Sequence, residues 1–196
     1  DFDTQNILTT GRVLVGTTTE GAVDADNLTV ADSGNAGITI RSGTSNSGNL
    51  YFSDATSGDA EYEGAISYNQ SSQYMDFYTA HTTKMRIDED GKVSIGVLSS
   101  DGTLHVHTAT AGSVAAPSNA DDLVVENSGD GGISVFTPDT SVGNLFFGSP
   151  SDSTGGKITW DYNNDLMTVG TDKSGASLRL NAGDGALSIY AKNGGN

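Results

Sequence analysis

"MRIDEDGKVSIG" (Met85–Gly96) runs straight into "VLSSDGTLHVH" (Val97–His107). Apolar and polar residues alternate, stop at Asp90-Gly91, alternate again, and stop at Asp101-Gly102. Alternate side chains of a strand face opposite sides, so period-two alternation broken by Asp-Gly is the pattern of short strands joined by tight turns. Glycine supplies the positive φ such turns need. The stretch reads as one rung of a repeated β structure rather than the hinge of an enzyme site.

The same blocks recur along the chain. "ADNLTV" (Ala25–Val30) returns as "ADDLVV" (Ala120–Val125), "SGNAGITI" (Ser33–Ile40) as "SGDGGISV" (Ser128–Val135), and "GNLYF" (Gly48–Phe52) as "GNLFF" (Gly143–Phe147). "GAISYN" (Gly64–Asn69) returns as "GKITWD" (Gly156–Asp161), "MRI" (Met85–Ile87) as "LRL" (Leu178–Leu180), and "DGKVSI" (Asp90–Ile95) as "DGALSI" (Asp184–Ile189). Blocks that keep one order, with small insertions between them, describe a tandem duplication of about ninety residues. "GRVLVG" (Gly11–Gly16) also resembles "GKVSIG" (Gly91–Gly96). Residues 1–23 are therefore expected to close a preceding module. Residues 24–96 form the first β module, 97–118 a linker with a short strand, and 119–196 the second module.

In the first copy, alternation centres on Leu28/Val30, Ile38/Ile40, Leu50/Phe52, Ile66/Tyr68, Met75/Phe77, Met85/Ile87 and Val93/Ile95. Turn signals separate the runs at Ser33-Gly34, Ser47-Gly48, Ser57-Gly58 and Asp90-Gly91. No window sustains a helical stripe. The expected fold is all-β, with tandem small β-sandwich or β-prism modules.

The net charge of −16, from 25 acidic and 9 basic residues, argues against nucleic acid or an anionic membrane as partner. No apolar run approaches membrane-spanning length, so no membrane insertion is expected. There is no cysteine, which removes disulfides and thiolate metal sites. The chain does not begin with Met, which reads as a fragment or processed piece. Leu, Ile, Val and Phe make up about a fifth of it, near the boundary of what folds alone at this charge. Burial shared with other copies is expected to close that gap.

"MRIDEDGKVSIG…DGTLHVH" resembles a pattern of bacteriophage tail fibres and tailspikes, of the type that carries a C-terminal endosialidase-like intramolecular chaperone. The chaperone itself is not in this sequence. "GRVLVG" and "LRLNAGDGALSIYA" carry weaker versions, so the pattern punctuates nearly the whole chain. The resemblance implies an elongated homotrimeric fibre on a virion surface, joined to other virion tail or fibre proteins. Such a segment works as a rigid spacer, with attachment to a host-surface glycan as a further role. Two other readings stand beside it: a tailspike polysaccharide depolymerase, and an extracellular bacterial filament or adhesin.

His105 and His107, at i and i+2 of one strand, share a face, with Leu104 and Val106 on the other. Imidazoles suit iron, nickel or zinc. The resemblance implies a six-imidazole site on a three-fold axis; an ordinary strand with an exposed His107 is the competing reading. "DEDGK" (Asp88–Lys92) lacks the terminal Glu of a calcium loop and is read as a hairpin turn. Tyr62, Tyr68, Tyr74, Tyr78, Trp160 and Tyr162 are candidates for glycan contact, with packing the competing role. Acids such as Asp24, Asp26, Asp121 and Asp122 are read as solvated turns. Neither a catalytic residue nor a cofactor is expected.

Overall fold

A computed structural model describes residues 11–180. The protein is all-β; among the described residues the one helical element is a short 3-10 turn at Asp59–Tyr62. It divides into two units, one through Gly131 and one from Gly132.

The first unit contains a two-stranded parallel sheet, β1 (Val13–Val15) with β2 (Leu28–Val30). It also contains a seven-stranded sheet in chain order. The strands are β3 (Ser47–Phe52), β4 (Gly64–Asn69), β5 (Tyr74–Thr79), β6 (Thr82–Ile87), β7 (Val93–Ile95), β8 (Leu104–His107) and β9 (Leu123–Glu126). β3 to β7 form an antiparallel meander, and β7, β8 and β9 continue it in parallel. The expected Asp90-Gly91 turn joins β6 to β7. Its acid serves the backbone: Asp88 Oδ1 accepts the N–H groups of Asp90 (3.1 Å) and Lys92 (2.9 Å).

Parallel neighbours ordinarily need a long crossover, and β7 and β8 are joined by only the residues 96–103. Gly96 makes this turn possible. Its φ is +83°, and a Cβ there would stand 2.0 Å from the His107 carbonyl oxygen. Gly16, after β1, repeats the device with φ +75° and a Cβ position 2.1 Å from the Ala31 oxygen. These glycines occupy matching places in "GRVLVG" and "GKVSIG".

The second unit is a three-stranded antiparallel sheet of β10 (Val142–Ser149), β11 (Asp152–Asp161) and β12 (Leu166–Gly170). Its register follows that of β3, β4 and β5. Leu50 faces Ile66, and Ile66 faces Phe77. Likewise Leu145 faces Ile158, and Ile158 faces Val169. Gly48 faces Tyr68 as Gly143 faces Trp160. The expected block Asp184–Ile189 lies outside the described residues.

Three expectations change. Ile38/Ile40 and their counterparts Ile133/Val135 lie in backbone that forms no strand. Both stretches have the alternation of a strand, but no neighbour among the described residues offers them a ladder. Ser47-Gly48 is the start of β3, not a turn. A Cβ on Gly48 would stand 3.4 Å from Ile40 Cγ2, an ordinary van der Waals contact. Asp26 is not a solvated turn residue: it is 6% exposed and meets Arg12 Nε at 2.6 Å.

Candidate functional site

Cross-strand pairing sorts the seven-stranded sheet into two unlike faces, because residues directly opposite share a face. One face carries Leu50, Phe52, Ile66, Tyr68, Met75, Phe77, Met85, Ile87, Val93, Ile95, Leu104, Val106, Leu123 and Val125. None of these side chains is buried. Phe52 is 57% exposed, and Leu50 and Leu123 are each 49% exposed. A groove of about 270 Å³ runs across this face between Ile40, Leu50, Ile66, Tyr68 and Met75. The second unit repeats the arrangement with Leu145, Phe147, Ile158, Trp160, Met167 and Val169. Among the described residues, Ala65 is the only buried apolar side chain.

The opposite face of the seven-stranded sheet holds the buried polar groups. Asp76 is 1% exposed and accepts two hydrogen bonds from Arg86, from Nε at 2.7 Å and from Nη2 at 2.8 Å. Tyr78 and Thr83 hydroxyls add longer contacts to Asp76 at 3.4 Å. The guanidinium lies 3.6 Å over the Tyr74 ring, a cation–π contact that orients the fork. The hydrogen bond to Asp76 holds the Arg86 pKa above its ordinary value, against the opposing effect of burial.

Farther along this face, Ser94 of β7, His105 of β8 and Val124 of β9 are cross-strand neighbours. Ser94 is 2% exposed and His105 is 1% exposed. The expected pairing of His105 with His107 on one face holds: their rings meet edge to face, centroids 5.6 Å apart. Both approach Glu126, which sits opposite His107 on β9. His105 Nε2 lies 3.2 Å and His107 Nε2 3.9 Å from Glu126 Oε2. The other carboxylate oxygen accepts the Ala111 N–H at 2.6 Å. That bond is the main reason the Glu126 carboxyl is held below its ordinary pKa, with Thr110, His107 and His105 acting the same way and burial opposing. The Asp101 N–H donates to His105 Nδ1 at 3.3 Å.

The tyrosines are not brought together as one groove. Tyr62 and Tyr78 line a pocket of about 170 Å³ with Tyr51, Asn49, Ala65 and Ser67. Tyr68 lines the apolar groove instead, and Tyr74 is engaged by Arg86. Trp160 and Tyr162, in the second unit, are 43% and 54% exposed. Asp101, Glu126, Asp76 and Arg86 were not singled out in the sequence. The available signal was a lone Asp in "YMDFYT" with a lone Arg in the next strand, "MRI".

Comparison of the chain with protein-family models, curated proteins and solved structures finds no match. Among the described residues, no helix is long and apolar enough to cross a membrane.

Proposed function

We propose that the chain is a segment of a viral tail or surface fibre, a virion component that works as a rigid spacer and in host-surface attachment. It forms a parallel homotrimer in which each copy contributes one sheet per module. The observation that carries this reading is the bare apolar face. A sheet with one apolar face needs a second layer, and the described elements supply none. Apart from the 3-10 turn against β3, every substantial packing of one element on another is between neighbours within a sheet. Copies of the same chain supply the missing layers as a β-prism, turning their apolar faces inward.

Two further features favour assembly by this chain with itself. The stretches around Ile38–Ile40 and Ile133–Val135 present exposed apolar side chains and, among the described residues, a backbone without ladder partners, as an edge awaiting a neighbour's strand does. The repeated register of β3–β5 and β10–β12 supports tandem modules of one design, so length is built by repetition. The choice of three copies, and of a virion as the setting, rests on the resemblance of "MRIDEDGKVSIG…DGTLHVH" to tail fibres.

Gold-labelled antibody raised against the chain is expected to decorate the tail or fibre of virions from its source. The purified oligomer is expected to release no new reducing ends from host-surface polysaccharide. Turnover abolished by a single Asp or Glu substitution, with the oligomer intact, would instead identify a depolymerase.

A further inference from the structure

Among the described residues, Asp101, His105 and Glu126 each bring one ligand atom to within 4.8 Å of the other two. They come from three places, the turn before β8, β8 itself and the end of β9. A second observation points to a ligand there. His105 Nε2 is fully buried and has no hydrogen-bond partner, since the 3.2 Å approach to Glu126 Oε2 lacks hydrogen-bond geometry. His107 Nδ1, beside it, is also buried without a partner. An unmade hydrogen bond at a buried nitrogen is costly, and native structures rarely leave buried polar atoms unpaired.

We propose that Asp101, His105 and Glu126 bind one divalent transition-metal ion per chain, with His107 beside Glu126 as the adjacent imidazole. Ligand atoms held about 2.1 Å from zinc in a tetrahedral array stand roughly 3.4 Å apart. The 3.2 Å separation of His105 Nε2 and Glu126 Oε2 is close to that spacing. Mixed imidazole and carboxylate donors suit zinc, cobalt, iron or manganese rather than calcium. The Ala111 N–H fixes one Glu126 oxygen and leaves the other turned toward the rings, the supporting contact a ligating carboxylate needs.

Binding at Nε2 has a consequence for the ring. The lone pair goes to the metal, so the imidazole proton moves to Nδ1. The Asp101 N–H contact to Nδ1, 3.3 Å long, is then lost, and the turn re-seats to bring in the Asp101 carboxylate. The site lies on the polar face of the sheet and is complete within one chain. A six-imidazole site on a symmetry axis would instead need the histidines on the inward face.

The test uses the full-length oligomer, stripped with a chelator and titrated with Co²⁺ and Zn²⁺. One ion per chain is expected, with a cobalt visible spectrum and the His105 ring proton moved to Nδ1 in nitrogen NMR. Glu126→Gln is expected to weaken Zn²⁺ binding by about 100-fold or more, and Asp101→Asn by about 10-fold. Asp101 is exposed, so its variant retains the fold. Absence of binding at hundred-micromolar Zn²⁺ overturns the proposal. So does one ion per three chains, unaffected by Glu126→Gln.

Discussion

Replacing Ile38 and Ile133 together by Asp is expected to break the oligomer into 20.1 kDa chains that lose their β structure. Each isoleucine is 68% exposed on the chain alone. Each lies in a stretch with no strand partner among the described residues. If a neighbouring copy covers them, each contributes about 1.5–3 kcal/mol of apolar burial. A carboxylate in the same place adds the larger cost of an unpaired buried charge. The loss recurs in every copy, so the effect on assembly multiplies. Val114→Asp provides the control. Val114 is 61% exposed but sits in the connection between β8 and β9, outside any alternating run. That variant should assemble as the native protein does. Sizing by light scattering reads both, and a native-sized, folded Ile38→Asp/Ile133→Asp protein would remove these stretches from the interface.

Arg86→Met is expected to destabilise the protein by about 3–5 kcal/mol. Its partner Asp76 is 1% exposed and depends on the guanidinium for two short hydrogen bonds. Methionine fills similar space but leaves a carboxylate buried without a counter-charge. For a chain of this length the melting temperature should fall by roughly 6–20 °C. The double variant Arg86→Met/Asp76→Leu should recover most of the loss, because an apolar pair can replace a buried ion pair at little cost. Thermal unfolding of the three proteins checks this. A single variant that melts within about 2 °C of the native protein would mean the pair contributes nothing to stability.

The strands were legible because alternation reports directly on which side chains share a face. Leu50/Phe52, Ile66/Tyr68 and Met85/Ile87 lie in strands and on one face, as their spacing implies. Alternation does not report whether a strand has a partner, so Ile38/Ile40 read as an ordinary strand. Nor does it report which face is covered. Ser47-Gly48 misled because a Ser-Gly pair is a turn signal by composition, whereas here it opens β3 and pairs with Asn69 and Tyr68. Asp26 misled, and Asp76 gave no sign of its burial, because an acid's burial depends on an arginine supplied from elsewhere in the chain, Arg12 in one case and Arg86 in the other. The histidine pair was visible as a spacing. Its surroundings were not, since Glu126 reaches it only through the parallel pairing of β8 with β9.

The most direct test of the account is the mass of the native protein in solution. The claim is that the bare apolar faces of the two units are covered only by other copies of the same chain. Multi-angle light scattering should give three times the 20.1 kDa chain mass, unchanged on dilution through the micromolar range. A 20.1 kDa monomer that melts cooperatively would contradict the claim outright. Twice the chain mass would replace the three-sheet prism with a two-sheet sandwich.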